Sequence, residues 1–304
     1  YNGKKFNYSN QLAKIQKILQ IPHILKTAYP SKSSKKLDLE KIYQKYQNNK
    51  ALKTTFVSFD HPLYILFSSG TTGLPKCITH SHGGVTLQHL KELSLHTNIS
   101  SKDNMLFFTT CGWMMWNWMV SNLLIGATIS LYEGSPFYPD AKNFIKIIKK
   151  SEATILGAGA KAYEHLYSKQ LQKKDTYIKN LKSILSTGSP LSDDTFNFIN
   201  KKINKSIPIH SISGGTDIVS CFMLGNPMKP VFKGEIQSPG LGMDIDVFDD
   251  RGLPTRKTGE LVCKSPFPSK PIYFWNDRNN KKYQSGYVTK YNNIWSHGDF
   301  VKKT

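Results

Sequence analysis

Between residues 56 and 222, short apolar runs alternate with longer segments whose apolar residues recur at helical spacing. This alternation constrains the fold more than any other feature. Strands separated by helices pair in parallel, and a parallel sheet needs cover on both faces. Strands are expected at 63–67, 105–109, 128–132, 153–156, 183–187 and 209–213, with 63–67 buried, and helices at 82–96, 140–150, 160–169 and 192–203. The expected fold class is α/β, with doubly wound, mainly parallel sheets and helices. From 224 to 304 the pattern changes to short strands near 244–248, 259–263 and 294–297, with a turn at Asp249-Asp250-Arg251-Gly252. That reads as a smaller β-rich subdomain. Residues 1–55 are polar and lysine-rich, helical at 11–19 and 37–47, and lack a core of their own; they are expected to lie against the surface of the α/β region. The domain reading is therefore 1–55 as a peripheral helical segment, 56–222 as the α/β region and 223–304 as the β-rich subdomain.

No charged residue occurs from Asn104 to Tyr132, a length that suffices to cross a bilayer. Its interior argues for a folded core instead. Thr109, Thr110, Asn117, Ser121 and Asn122 are polar, and Gly112 and Gly126 punctuate the run. It divides into strand, buried helix (113–124) and strand, so no membrane association is expected.

The strand at 63–67 runs into Ser68-Ser69-Gly70-Thr71-Thr72-Gly73-Leu74-Pro75-Lys76. Glycines let a backbone approach an anion closely, and consecutive N–H groups in a turn form an anion-binding nest. Hydroxyls add donors and Lys76 adds a positive charge, so the run suits the phosphates of a nucleotide. The spacing is not that of the P-loop, because no Ser or Thr comes directly after the lysine. Ligands of open α/β sheets bind at the carboxyl ends of strands, where this loop is expected to sit.

The formal net charge of +20 raises the possibility of a nucleic-acid partner. Only Arg251, Arg256 and Arg278 are arginines, whereas bidentate phosphate and base recognition favours arginine. The lysines are scattered, so no nucleic-acid partner is expected. Cys77, Cys111, Cys221 and Cys263 fit no metal motif and no disulfide framework. They read as free thiols in a reducing cytosol, and a cytoplasmic location is expected.

Three further clusters come after strands late in the chain: Ser186-Thr187-Gly188-Ser189-Pro190-Leu191, Ser211-Ile212-Ser213-Gly214-Gly215-Thr216-Asp217 and Trp295-Ser296-His297-Gly298-Asp299. Each alone reads as a turn. Together with the Ser68 loop they form an ordered series that resembles the core motifs of the adenylate-forming acyl-CoA synthetases. Within that superfamily, three phrases are similar to the acetoacetyl-CoA synthetase family. They are Asp60-His61-Pro62-Leu63-Tyr64-Ile65-Leu66, Thr110-Cys111-Gly112-Trp113-Met114-Met115-Trp116-Asn117 and Glu133-Gly134-Ser135-Pro136-Phe137-Tyr138-Pro139-Asp140. Gly234-Glu235-Ile236-Gln237 adds to them.

The resemblance implies roles position by position. Ser68, Ser69, Gly70, Thr71, Thr72, Gly73 and Lys76 match the loop that holds the ATP β- and γ-phosphates. Gly188, Ser189 and Pro190 match the segment along the adenine, and Ser211, Ser213, Gly214 and Gly215 continue that wall. Thr216 matches a threonine near the α-phosphate and, with Lys76, a catalytic position. Asp217 stands where many relatives carry a Mg²⁺-contacting glutamate. Asp299 matches the carboxylate that takes hydrogen bonds from the ribose hydroxyls. Trp113, Met114 and Met115 border the acyl group in the family, while Trp116 and Trp118 read as core. Gly214 replaces a tryptophan that caps the short pocket of acetyl-CoA synthetases, which implies room for a longer acid such as acetoacetate.

The implied reaction joins acetoacetate to CoA with consumption of ATP, through an acyl-adenylate, with small molecules as the only partners. His80, His82 and His297 are not expected to act as bases, since a carboxylate is already ionised at neutral pH. The family is about twice this length, so the resemblance implies that an N-terminal portion and a C-terminal lid with its lysine are missing. A fragment of this kind would bind ATP weakly and catalyse poorly or not at all. Three other readings stay open: a synthetase for another short acid, a nucleotide-binding remnant without catalysis, and a basic nucleic-acid-binding protein.

Overall fold

The computed structural model describes residues 2–4, 6–22, 38–47, 53–68 and 75–304, which fall into two compact units, Tyr1–Phe56 and Val57–Thr304. In the first, Ser9–Leu19 and Asp38–Tyr46 are helical. Ser9–Leu19 buries none of its residues. Its apolar side chains Leu12, Ile15, Ile18 and Leu19 are all exposed, too few and too spread to close a core.

The centre of the second unit is a five-stranded parallel sheet of Asn104–Phe107, Thr128–Ser130, Ile155–Gly159, Ser183–Thr187 and Ile209–Ser211. Numbered in chain order, these strands lie side by side as 2-1-3-4-5. That is a doubly wound order whose switch point falls between the first and third strands. Successive side chains of a strand point to opposite faces. Leu106, Leu156, Ala158 and Ile184 join one core with Phe144, Ile148, Tyr163, Leu166 and Ile199 from the helices Lys142–Ser151, Ala160–Ser168 and the segment 193–203. Met105, Phe107, Ile155 and Leu185 join the other with Val85, Leu93, Met115, Trp118 and Met119. Burial on both faces explains why Asn104–Phe107 and Ile155–Gly159 show no alternation of apolar and polar residues. Packing is close enough that a Cβ at Gly157 would fall 2.1 Å from the Phe107 ring.

The strand Pro62–Ser68 departs from expectation. It is not a buried member of the parallel sheet but the edge of a three-stranded antiparallel one, beside Lys76–Ser81, which in turn pairs with Tyr273–Phe274. Leu63 and Phe67 are 37% and 66% exposed. An apolar run alone does not separate a central strand from an edge strand. The buried strand is its neighbour, where Ile78, Thr79 and His80 are inaccessible and whose mixed polarity hid it.

Other boundaries shift. The expected strand at 209–213 stops at Ser211, and Ser213–Gly215 turns out to pair antiparallel with Ser220–Leu224. The expected helix at 113–124 is a helix only over Met115–Val120, succeeded by a 3₁₀ turn, Ser121–Ile125. The last strand runs through the expected 294–297 to Val301. It pairs with Gly259–Cys263, which pairs with Ile245–Phe248. A third core joins Ile78, Ile218 and Phe222 to Leu261, Phe267, Phe274, Tyr283, Tyr287 and Trp295. Among the described residues, no helix is long and apolar enough to cross a membrane.

Candidate nucleotide- and acid-binding site

Ser68 and Lys76 face each other across the antiparallel pair that flanks the glycine-rich loop. Residues 69–74, which carry Ser69, Gly70, Thr71, Thr72 and Gly73, lie outside the described residues. Lys76 Nζ is 3.2 Å from Asp217 Oδ1 and 4.7 Å from the centroid of the Tyr287 ring. The Tyr287 hydroxyl donates to the same Oδ1 at 2.5 Å, and its ring stacks on Trp295 at 4.0 Å. Burial and the neighbouring carboxylate push the Tyr287 hydroxyl far above its ordinary pKa, so it acts as a donor throughout the working pH range.

Thr216 and Asp217 sit in the turn between Ser213–Gly215 and Ser220–Leu224. Two buried histidines fix that turn. His80 Nε2 donates to the Thr216 carbonyl at 3.0 Å, and His89 Nε2 meets the Val219 carbonyl at 2.6 Å. His89 Nδ1 lies 2.8 Å from Ser121 Oγ. Burial lowers the pKa of His80 to about 4 and depresses that of His89, so both are neutral near pH 7. Val219 holds φ at +49°, a left-handed conformation that costs a β-branched residue on the order of 1–3 kcal/mol. The strain is held by complete burial of Val219 in the core and by the His89 contact to its carbonyl. His82 is exposed at the start of its helix.

A cavity of about 420 Å³ opens beyond the carboxyl ends of the fourth and fifth parallel strands. Gly188, Ser189 and Pro190 line one side, Ser211, Ser213 and Gly214 another, and Asp299 a third. Gly188 turns the chain off its strand at φ +81°, where a side chain would be strained. Asp299 is aimed by a bulge. Glu260 pairs with Phe300 and Val262 with Ser296, so residues 297–299 stand opposite Leu261 alone. Gly298 takes φ +94° at that bulge. Bulges of this kind re-aim side chains beside binding sites.

A second cavity, of about 80 Å³, is lined by Trp113, Met114, Met115, Gly215, Thr216, Ser220 and Cys221. It shares Thr187, Gly188, Ile212 and Gly214 with the first. Thr216 lines the small cavity and not the large one, whereas Lys76 and Asp217 border neither. Trp118 is fully buried and Trp116 half-buried. Gly214 has a stricter reason than the room it leaves. A Cβ there would fall 2.0 Å from the Ser220 carbonyl oxygen and 2.6 Å from Cys221 Cα. In this backbone a tryptophan at 214 would be driven into the partner strand, not projected into the cavity.

Two participants were not singled out by sequence: Tyr287 and His89. The signal for His89 was present. Gln88, His89, Glu92 and His96 are buried polar residues at three- and four-residue spacing on one helical face. Tyr287 carried no local signal, since its partner is 70 residues away.

A parallel sheet wound in this order, with a cavity beyond the carboxyl ends of its strands, defines an open α/β body of the ligand-binding kind. Residues 5–273 match the family described as AMP-binding enzyme, and the chain belongs to that family. It is 50% identical over 248 residues to the acetoacetyl-coenzyme A synthetase of Rhizobium meliloti (strain 1021), covering 81% of this chain and 38% of the relative. It is 43% identical over 315 residues to the acetoacetyl-CoA synthetase of Gallus gallus, covering 99% of this chain and 47% of the relative. The solved acetoacetyl-CoA synthetase from Streptomyces lividans superposes with a TM-score of 0.88 at 36% identity, over 99% of this chain and 48% of its own. The chain therefore spans about half the length, or less, of the relatives it matches.

Proposed function

We propose that this chain is the nucleotide- and acid-binding body of an AMP-forming acid–thiol ligase whose acid is acetoacetate. The observation that carries this reading is a pair of neighbouring cavities, of about 420 and 80 Å³, that share Thr187, Gly188, Ile212 and Gly214 in their linings. An acyl-adenylate is a nucleotide joined to an acyl group at the phosphate, and Thr216 lines the small cavity one residue beyond Gly215 and two beyond the shared Gly214. The similarity to acetoacetyl-CoA synthetases supports the choice of acid.

In this reading Gly188, Ser189 and Pro190 lie along the adenine, with Ser211, Ser213 and Gly214 continuing the wall, while Gly215, which the sequence assigned to that wall, borders the smaller cavity instead. Asp299 accepts hydrogen bonds from the ribose hydroxyls. Ser68, Lys76 and the loop at 69–74 hold the β- and γ-phosphates. The carboxylate of the acid attacks the α-phosphorus of ATP; a P–O bond forms, the bond to the β-phosphate oxygen breaks, and pyrophosphate leaves. The thiolate of CoA then attacks the acyl carbon and AMP leaves. Neither step needs a covalent nucleophile on the protein. Thr216 orients the α-phosphate, and the chain contributes mainly positioning and charge neutralisation. His80 takes no proton, because its pKa lies near 4 and its Nε2 is committed to Thr216.

Among the described residues, no group of three or more His, Cys, Asp or Glu side chains is placed to hold a metal. Asp217 alone fits Mg²⁺ that arrives with the nucleotide, since such ions take one or two carboxylates and otherwise phosphate and water oxygens. Mg²⁺ held there would neutralise charge on the leaving pyrophosphate. The four cysteines are free thiols, which favours a reducing compartment such as the cytoplasm.

The test is pyrophosphate release by the product of the complete gene, with ATP, Mg²⁺ and CoA, on acetoacetate, acetate, propionate and butyrate. Preference for acetoacetate supports the reading. Preference for another short acid discards the substrate and keeps the chemistry, and no release with any acid overturns the catalytic reading.

A further inference from the structure

The side chain of Glu92 is fully buried and accepts four hydrogen bonds. Oε1 takes them from Gln88 Nε2 at 2.9 Å, Ser220 Oγ at 2.5 Å and the Cys221 backbone N–H at 3.2 Å. Oε2 takes one from Trp118 Nε1 at 2.9 Å. Among the described residues, no Lys, Arg or His forms an ion pair with it. His89, Lys91 and His96 are near enough to interact with it electrostatically without contact, so its buried carboxyl group is held chiefly by hydrogen bonds that replace its water.

Two of its four partners line the smaller cavity, and a third, Trp118, stands behind the opposite wall. Ser220 and Cys221 line that cavity directly, on the strand that forces glycine at 214. Trp118 lies on Met115–Val120, the helix that begins at the cavity residues Met114 and Met115. The Trp118 ring meets Phe107 edge-on at 6.3 Å, and Phe107 meets the cavity residue Trp113 at 6.1 Å. Glu92 also opens a π-helical turn, Glu92–His96, a distortion frequent at functional sites.

We propose that Glu92 is a positioning residue for the acid: it ties Trp118 to Ser220 and Cys221, fixes the separation of the two walls and so decides which acyl group fits. It touches no substrate. The proposal rests on the acid-binding reading above. Its chemistry is specific. The Trp118 indole N–H can only donate, so a glutamine that serves the three donors at Oε1 turns its own amide N–H₂ against Trp118.

The experiment is calorimetry on the purified protein with AMP and with acetoacetyl-sulfamoyl adenosine, a stable analogue of the acyl-adenylate. If the wild type binds the analogue no more tightly than AMP, the acid-binding reading fails and this proposal falls with it. With tighter binding established, Glu92→Gln is expected to weaken the analogue at least tenfold and change AMP less than twofold. Trp118→Phe, which removes the other end of the same tie, is expected to weaken the analogue alone as well, and the double variant no more than Glu92→Gln by itself. Equal losses for AMP and analogue, an unchanged analogue, or additive losses in the double variant would overturn the proposal. Should Glu92→Gln fail to fold, Trp118→Phe alone removes a single donor that does not line the cavity and should weaken the analogue several-fold with AMP unchanged; no effect on the analogue would again overturn it.

Discussion

Lys76 Nζ lies 3.2 Å from Asp217 Oδ1, so a lysine and a carboxylate 141 residues apart neutralise each other. In the proposed function the lysine serves the terminal phosphates and the carboxylate serves Mg²⁺. A nucleotide carrying its metal would offer each a new partner of the right sign, while the Tyr287 hydroxyl continues to hold Asp217.

The first prediction separates phosphates from the rest of the nucleotide. Lys76→Ala should weaken ATP binding about tenfold or more, the usual scale for a lost charge-assisted contact. AMP, which lacks the β- and γ-phosphates, should bind within about twofold of wild type by calorimetry. Stability should fall by less than about 1 kcal/mol, because the pair is partly exposed and screened. Equal losses for ATP and AMP would place Lys76 elsewhere.

Asp299 should behave differently. Both nucleotides carry the ribose, so Asp299→Ala should weaken AMP and ATP together, by roughly 10-fold. Gly298→Ala should act through the backbone instead, since φ is +94° there although a Cβ would meet nothing within 4 Å. It should lower the melting temperature and carry nucleotide affinity down with it.

Gly214 and Gly215 are adjacent, yet they should respond unequally to alanine. A Cβ at 214 collides with the Ser220 carbonyl at 2.0 Å, whereas at 215 the nearest atom is 4.0 Å away. Gly214→Ala should cost about 1–3 kcal/mol, the range of overpacking against backbone. Gly215→Ala should cost clearly less. Paired denaturant titrations read the difference, and equal costs would mean that the hairpin relaxes freely.

Acid should destabilise the protein well above the carboxylate range. Burial holds His80 near 4 and depresses His89, His96 and His210, while an unfolded histidine titrates near 6.5. Between those values the unfolded chain binds protons that the folded chain does not, so stability is full above about pH 6.5 and falls as the pH drops toward 4. For His80 alone the loss approaches about 3 kcal/mol at the lower end. Asp103, Asp246 and Glu260 have lowered pKa values and lose their pairing only at lower pH. Denaturant midpoints from pH 7.5 down to 5 therefore read the histidines. His80→Gln keeps a donor for Thr216 and should flatten the slope; an unchanged slope would exclude His80 as a source.

Much of the body was legible because its signals are local. Ser183–Thr187 and Gly259–Cys263 are read from sequence with no shift, since both strands are buried along their whole length. Lys76–Ser81 and Ser220–Leu224 were not read as strands. Cys-Ile-Thr-His alternates without a clean apolar face, and its burial comes from the antiparallel neighbours on both sides. The edge position of Pro62–Ser68 was equally invisible, because its hydrophobicity equals that of a central strand.

The sequence by itself determined the order of parallel strands and helices and the small residues that end those strands, because periodicity and backbone freedom are properties of neighbouring residues. Only the tertiary structure decided that Gly214 is demanded by the Ser220 carbonyl, that Lys76 meets Asp217 and that Glu92 ties Trp118 to Ser220. Those are contacts between residues far apart in the chain. Their energies depend on distance and burial, which no local pattern of residue types encodes.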